Sequence, residues 1–481
     1  MEWFVADSSW LGRAVLLHGL AAIYLLAFVA AARQGPALVG TRGLTPAPTF
    51  LRRSSFRRAP SLFHLHWSDR FFTAVCWTGA ALAALSLVGV TSRLPLVLSA
   101  AVWLLLWALY LSVVDVGQVW YSFGWETLLC EVGFLAVFLG NAAVAPPLPG
   151  MVLLLWVLFR LEFGAGLIKL RGDRCWRDLT CLDHHHETQP MPGPLSWFFH
   201  HLPRPLHRVE VAANHVTQLV LPFGLFLPQP VSGVCAGIML VTQLWLIASG
   251  NFAWLNWLAV LLAASALPDG AWARVLPGPV EDWLVPARGD AAPYPWVVAV
   301  LLLTGLVLVL SWRPVRNLLS PHQAMNASFE PLRLVNTYGA FGSVSKVRHE
   351  VVLEGQGQDG VWREYGFRGK PGSPSRWPRQ VAPYHLRLDW LMWFVSLSPG
   401  YARPWLPRLL RRLLEADPRT LRLLAHDPFG SQRPTAVRAL VYRYRYTTWA
   451  ELRTSRDCWR RVRLGELVPP TTLAEAVPDW W

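Results

Sequence analysis

Long apolar runs recur along the first two thirds of the chain, and they constrain its fold more than any other feature. Runs of about 20 residues with almost no charge are typical of membrane-spanning helices. Only 15% of the 481 residues are charged, against roughly 25% in soluble domains. The sequence therefore predicts an α-helical polytopic membrane bundle of about nine spans, near residues 11–32, 70–91, 94–114, 124–145, 150–169, 209–227, 231–249, 252–268 and 294–312.

The composition changes after the ninth run. Residues 319–481 are predicted to form a soluble α+β domain, and residues 1–318 the bundle, including a polar loop at 170–208. Alternating residues on both sides of a Gly-rich turn predict a β-hairpin at 347–367. "LVYRYRYTTW" predicts a further strand with three tyrosines on one face, and helical spacing predicts helices near 385–397 and 404–426.

The net charge of +14 bears on the partners of the chain. Arginine far outnumbers lysine, and the arginines lie in loops between the apolar runs and in the last third. Anionic lipid headgroups are the simplest partner for such loops. We therefore expect contact with membrane lipids and no nucleic acid.

The densest polar cluster of the chain begins where the fifth run ends, in "FGAGLIKLRGDRCWRDLTCLDHHHETQPMPGP" at residues 163–194. Lys169 closes the run, and Glu162 lies seven residues earlier on the same helix face, about 10 Å away along the axis. A dehydrated lysine at this depth can serve as a base. The alternative is a lysine that extends to the interface and anchors the helix end.

Two further features indicate polar surfaces inside the bundle. Arg160 and Glu162 cannot face lipid cheaply, so we expect them to be paired; candidate partners on neighbouring runs are Asp115, Glu126 and Glu131. In the sixth run the polar residues share one face, which favours a helix that lines a cavity; they are Glu210, Asn214, His215 and Gln218.

The polar loop contains cysteines and histidines, the residue types that form disulfides and metal sites. Cys175 and Cys181 could form a local disulfide or remain free thiols, and their spacing is not that of a zinc site. His184, His185, His186 and Glu187 are metal-ligand types. Adjacent histidines in an irregular loop cannot all face one ion, so we expect no metal and no cofactor, and favour interface and hydrogen-bonding roles.

Several long motifs carry a family resemblance: the 163–194 stretch, "VWYSFGWETLL", "SGNFAWLNWL", "VNTYGAFGSVSK" and "PYHLRLDWLMWF". They closely resemble the lipase maturation factor family. Eukaryotic members are membrane proteins of the endoplasmic reticulum, needed for dimeric lipases such as lipoprotein lipase to fold and assemble. The resemblance implies a non-enzymatic, chaperone-like maturation factor whose partner is a lipase-like client.

The resemblance also implies an orientation. The polar loop and the C-terminal domain would face the lumen of the endoplasmic reticulum, or the cell exterior if the membrane is the cytoplasmic membrane of a bacterium. The arginine distribution predicts the opposite, because positive loops tend to stay in the cytosol. We prefer the family's orientation, since long loops and whole domains follow that rule weakly. A lumenal loop would also suit a Cys175–Cys181 disulfide.

The resemblance gives the polar loop a role. Its charges alternate in sign and can form an ion-pair network, and a run of family-like polar residues follows. We expect these side chains to bind the client or to order the loop; they are Arg171, Asp173, Arg174, Arg177, Asp178, Asp183, His185 and Glu187.

A more distant resemblance supports an alternative. "AGLIKLRGDRCW" resembles the span-end segment of the vitamin K-dependent γ-carboxylase superfamily, and Lys169 matches its catalytic lysine by position. This implies a membrane enzyme with Lys169 as base and Glu162 nearby, acting on a lipid or quinone-like substrate in a cavity beside the fifth span. Ile168 and the replacements at Arg171-Gly172 and Arg174-Cys175 depart from that family's pattern and argue against carboxylation itself.

Overall fold

A computed structural model describes residues 2–289 and 292–475, and most of them are helical. In the first half, long helices alternate with short ones: α1 Trp10–Leu38, α2 Ala47–Arg53, α3 Asp69–Leu87, α4 Val90–Arg93, α5 Leu96–Val116, α6 Gly124–Ala136, α7 Leu148–Arg171, α8 Arg174–Arg177, α9 Leu182–Thr188 and α10 Ser196–His200. The remaining helices before the sheet are α11 Arg204–Leu219, α12 Leu221–Gly224, α13 Val231–Ser249, α14 Leu255–Ser265, α15 Asp269–Trp272, α16 Gly278–Leu284 and α17 Tyr294–Leu319.

Six of the described helices are long and apolar enough to cross a membrane: α1, α3, α5, α7, α13 and α17. Their lengths run from 19 to 29 residues, and about 20 residues cover the hydrocarbon core of a bilayer. The membrane bundle is therefore supported, but the count of nine spans is not confirmed.

The three other expected spans are each too short or too polar. Helix α6 has 13 residues, which reach only about 20 Å. Helix α14 has 11 residues. The run at 209–227 divides at Val220, before Pro222, into the polar α11 and the four-residue α12. Most of α6 and much of α14 is buried among other helices, so their apolar side chains serve packing within the protein.

The C-terminal part contains a small antiparallel sheet and short helices: β1 Arg348–Gln356, β2 Trp362–Glu364, α18 Arg387–Leu397, α19 Leu406–Leu414, α20 Pro418–Leu421, β3 Ala436–Tyr446, α21 Trp449–Ser455 and β4 Trp459–Thr472. The strand order is β2-β1-β3-β4. Strands β1 and β2 pair as the predicted hairpin, with Glu354 opposite Glu364. The tyrosine-rich strand is β3, which pairs with β1 on one side and β4 on the other.

Buried polar contacts join the C-terminal part to the helices. Gln34 of α1 donates to the His385 carbonyl at 2.7 Å and accepts from the Arg387 N–H at 3.0 Å. Asn251, just before α14, donates to the carbonyls of Pro192 and Arg379 and accepts from the N–H groups of residues 381 and 382. One side chain thereby connects the polar loop, the bundle and the C-terminal part.

Candidate functional site

Arg160 of α7 is a structural residue. Its guanidinium forms a buried ion pair with Glu131 of α6 and donates to the Asn336 carbonyl at 2.6 Å. The Glu131 carboxylate also accepts from the Tyr338 hydroxyl at 2.6 Å. The other candidate carboxylates pair elsewhere, Glu126 with Arg387 and Asp115 with Arg333. The expectation that Arg160 is paired inside the bundle is confirmed, with Glu131 as its partner.

Lys169 and Glu162 belong to a different polar network on the same helix. The Lys169 ammonium donates to Asn214 Oδ1 and Gln218 Oε1 of α11, both at 2.8 Å. Gln218 in turn donates to Glu162 Oε2 at 3.1 Å. The Gln218 amide therefore links the lysine to the glutamate.

The network continues across the bundle. Gln243 of α13 donates to Glu162 Oε1 at 2.6 Å and accepts from the Asn256 amide of α14 at 2.7 Å. Glu162 and Gln243 are almost fully buried. Each oxygen of the Glu162 carboxylate thus accepts from a neutral amide, which offsets much of the cost of burying it.

This network forms one wall of a cavity of about 1320 Å³ between α7, α9, α11, α13, α14 and α18. Ligand pockets usually measure ≈ 300–1,000 Å³, so this one is large. Its other walls are mostly apolar and rich in aromatic rings, among them Phe123, Trp125, Phe252, Phe341, Trp390 and Phe394. Three of the four polar residues of the sixth run line it, Glu210, Asn214 and Gln218, which confirms a cavity-lining face; His215 instead contacts the Trp176 carbonyl at 3.0 Å.

The polar loop has an exposed outer side next to this cavity. Arg174 forms an ion pair with Asp178 at 3.1 Å, and both side chains are at least half exposed. Arg177 is exposed and donates to the Leu170 carbonyl at 2.8 Å. Arg171 is exposed, donates to Gln323 at 2.9 Å and also lines the cavity. These four residues, Arg171, Arg174, Arg177 and Asp178, are called the outer loop face below.

The other predicted loop residues point inward and bind neighbouring segments. The Asp173 N–H donates to the Gly342 carbonyl at 2.7 Å. Asp183 contacts His207 at 3.2 Å. Glu187 accepts from the Tyr446 N–H of β3 at 2.8 Å. These contacts attach the loop to α11, to the segment before β1 and to the sheet.

Cys175 and Cys181 are joined by a disulfide around α8. Trp176, between them, donates to the Phe341 carbonyl at 2.7 Å, and its ring lies 4.9 Å from the Lys169 ammonium. The disulfide therefore fixes the residue that covers the lysine on the loop side.

Two of the adjacent histidines, His185 and His186, line the cavity and make different contacts. His185 lines the cavity and packs against Phe341, with ring centroids 4.9 Å apart. Burial and the nearby Lys169 charge lower the pKa of His185 to about 4. His186 is buried, with no hydrogen-bond partner for either ring nitrogen, and burial lowers its pKa well below the usual value. Among the described residues, no group of three or more histidines, cysteines and acids is arranged to hold a metal ion.

Comparisons with known proteins cover nearly all of these elements. A family model described as "Lipase maturation factor transmembrane domain" matches residues 11–274, and one described as "Lipase maturation factor C-terminal domain" matches residues 334–469. The chain is 40% identical to human lipase maturation factor 1 over 98% of its length and 89% of the relative's. The chain belongs to the lipase maturation factor family.

Other members of the lipase maturation factor family are similar as well. Mouse lipase maturation factor 1 is 39% identical, over 97% of this chain and 88% of the relative. Human lipase maturation factor 2 is 30% identical, over 97% of this chain and 83% of the relative. No solved structure matches the chain significantly. Family membership and the six long apolar helices together identify an integral membrane protein.

Two residues of the polar network were not predicted from the sequence of this lipase maturation factor family member. Gln243 and Asn256 complete the network around Glu162; Asn256 lies in the family-like motif "SGNFAWLNWL", but neither residue was predicted to belong to this site. Each is a polar residue within an apolar helix, and such residues usually face the bundle interior. A single polar residue within an apolar helix was therefore the sequence feature that could have indicated Gln243 and Asn256.

Proposed function

We propose that this chain is a membrane-embedded maturation factor that helps secreted lipase-like proteins to fold and assemble. One observation carries the proposal: the 40% identity to human lipase maturation factor 1 extends over 98% of the chain. The likeness therefore includes the helices, the polar loop and the sheet together. A client-specific role needs this combination, because the membrane helices alone offer a secreted protein little polar surface.

The client contacts the outer loop face. Its charged groups lie at the end of α7 on a segment anchored by the disulfide and by Asp173, Asp183 and Glu187. An anchored surface loses little conformational entropy when it binds a partner. The inward residues order the loop, and the exposed residues meet the client.

The proposed location follows from the same loop. The protein resides in the endoplasmic reticulum membrane of a eukaryotic cell, or in the cytoplasmic membrane of a bacterium, with the polar loop and the C-terminal part on the non-cytosolic side. The Cys175–Cys181 disulfide supports this orientation, because disulfides persist in oxidising compartments and are rare in the cytosol.

The test uses cells that lack their own lipase maturation factor and express a dimeric secreted lipase with this chain. We expect Arg174→Glu with Arg177→Glu to lower the secreted lipase activity per molecule by about tenfold, because charge reversal at a contact removes attraction and adds repulsion. The matched control reverses two exposed arginines of α2, Arg52→Glu with Arg53→Glu. Equal effects of the two double variants would contradict a contact at the outer loop face.

A membrane enzyme with Lys169 as base is the second candidate, favoured by one observation: Lys169 and Glu162 both line the cavity. The hydrogen bonds favour the first candidate, because the Lys169 side chain already binds two side-chain carbonyl oxygens of α11 and so has a structural role. Lys169→Ala in the same secretion assay separates the two. The maturation factor predicts nearly intact client activity at equal expression, and the enzyme predicts its loss.

A further inference from the structure

The cavity beside α7 carries no net charge on its described walls. Four of the lining residues are acids or strong bases: Glu162, Lys169, Glu210 and Arg171. Two negative and two positive groups cancel. A charged ligand would therefore meet a like charge as well as an opposite one on this lining, and burying its charge is costly in a low-dielectric site.

The two inner charges are already satisfied by protein groups. Glu162 accepts from the amides of Gln218 and Gln243, and Lys169 donates to two side-chain carbonyls. Apart from Glu210 and Arg171, the remaining polar side chains on the lining are amides, hydroxyls, indoles and histidines, of which His185 is neutral. Such groups recognise hydroxyl and ester oxygens, which donate and accept single hydrogen bonds.

The rest of the lining suits hydrocarbon. Aromatic and aliphatic side chains from α13, α14 and α18 face the same space, including Trp245, Leu246, Ala259, Trp390 and Phe394. The volume of about 1320 Å³ exceeds that of usual drug-sized pockets. An apolar space of this size beside a polar wall fits a molecule with long chains and a small polar head.

We propose that the cavity binds an uncharged acylglycerol with a free hydroxyl, of the diacylglycerol class. The head lies at the Glu162–Gln218–Lys169 wall, and the chains lie along the aromatic wall. This is a binding site and involves no bond breaking. It goes beyond the proposed client role and does not depend on it, because the outer loop face and the cavity wall are formed by different residues, apart from Arg171.

The experiment uses the full chain in lipid nanodiscs and a diacylglycerol that carries a photoreactive group on one acyl chain. We expect crosslinked peptides from α11, α13 and α18. Ala213→Trp places an indole on the lining of α11 and should lower labelling about tenfold by filling the space. The control, Gly237→Trp, adds the same indole on α13 where no atom lies within 4 Å of the new Cβ, and should label as the unmodified chain does.

The head group is tested with phosphatidic acid of the same chains and the same photoreactive group, which differs only by its anionic phosphate. The unmodified chain should label about tenfold less with phosphatidic acid, because a phosphate at this wall would lie beside the Glu162 carboxylate, and the Lys169 ammonium already donates to Asn214 and Gln218. Glu162→Gln leaves the wall with one net positive charge, and it should raise phosphatidic acid labelling at least several-fold.

Any of four results would overturn the proposal: absence of labelling, equal labelling of the Ala213→Trp and Gly237→Trp variants, crosslinks confined to the outside of α17, or equal labelling by both lipids in the unmodified chain. Secreted lipase activity is measured on the same variants. If Ala213→Trp loses labelling but keeps client activity, the lipid site is separate from the client contact. If the unmodified chain is active on the client but is not labelled, the lipid site is rejected and the proposed client role is not.

Discussion

Arg387 of α18 lies 2.6 Å from Glu126 of α6, measured from Nη1 to Oε1, and neither side chain reaches solvent. The guanidinium also donates to the Trp120 carbonyl at 2.7 Å and lies 3.4 Å from the centre of the Tyr121 ring. The carboxylate comes from the helices and the arginine from the C-terminal part. This buried ion pair therefore ties the two parts together.

Removing one partner of this pair should be strongly destabilising. Arg387→Leu leaves the Glu126 carboxylate buried without its counter-charge, a loss of about 3–5 kcal/mol in the free energy of unfolding. Glu126→Leu combined with Arg387→Leu should recover much of that loss, since a neutral pair leaves no buried charge. Denaturant unfolding in detergent, followed by tryptophan fluorescence, measures both variants. A double variant no more stable than the single one would contradict the explanation.

Acidification should loosen the polar loop. Burial keeps the pKa values of His185 and His200 at about 4, below their usual 6.5. The unfolded chain therefore binds more protons between pH 6.5 and 4, so stability is fully present above pH 6.5 and falls as the pH drops towards 4. We expect a loss of about 2 kcal/mol per histidine, as an upper bound, at pH 5. Glu187, whose pKa burial raises, acts in the opposite direction.

Hydrogen exchange of residues 173–190 at pH 7 and pH 5 measures this effect. His185→Gln should make the difference between the two pH values smaller. His66→Gln, at an exposed position before α3, should leave it unchanged. An identical pH dependence in all three chains would show that other groups control the loop.

The disulfide should stabilise the segment that covers Lys169. Replacing Cys175 and Cys181 by serine should cost about 2 kcal/mol of local stability, the value for closing a short loop. This loss of local stability should appear as faster amide hydrogen exchange at α8 and α9 in the double-serine variant. Reduction should reproduce the change in the unmodified chain and have no effect in the double-serine variant, because the other four cysteines are free. An effect of the reductant on that variant would assign the change to another site.

Membrane orientation can be tested on the C-terminal part. Thr454 lies at an exposed position on α21, and Thr454→Cys offers a thiol among otherwise buried free cysteines. We expect an impermeant maleimide to label it from the non-cytosolic side of sealed vesicles, as the proposed orientation requires. Labelling only from the cytosolic side would favour the arginine distribution as the guide to topology.

Local periodicity predicted the elements whose residues interact with near neighbours. The β1–β2 hairpin, the tyrosine-rich β3 and the helix α18 lie where the sequence pattern placed them. The count of spans could not be predicted in the same way, because hydropathy does not distinguish contact with lipid from contact with other helices. Helix α6 is apolar yet mostly buried in the protein. The boundary at residue 318 stays a prediction.

The candidate site was predictable in part for the same reason. Helical spacing placed Glu162 with Lys169 on α7, and Asn214 with Gln218 on α11. The connection between them is a tertiary contact over 45 or more residues, which a single sequence does not specify. The contacts of Arg160 are also tertiary, because its partners Glu131 and Asn336 lie 29 and 176 residues away in the sequence. The client and lipid roles of these residues stay proposals.

Asn251 sets a chemical requirement on any variant of this protein. Its side chain gives two protons to carbonyls and receives two backbone protons on its oxygen. Aspartate lacks the protons, and leucine lacks both functions. A substitution at this one position would therefore remove the hydrogen bonds that join the polar loop, the bundle and the C-terminal part, while leaving every charged residue of the molecule in place.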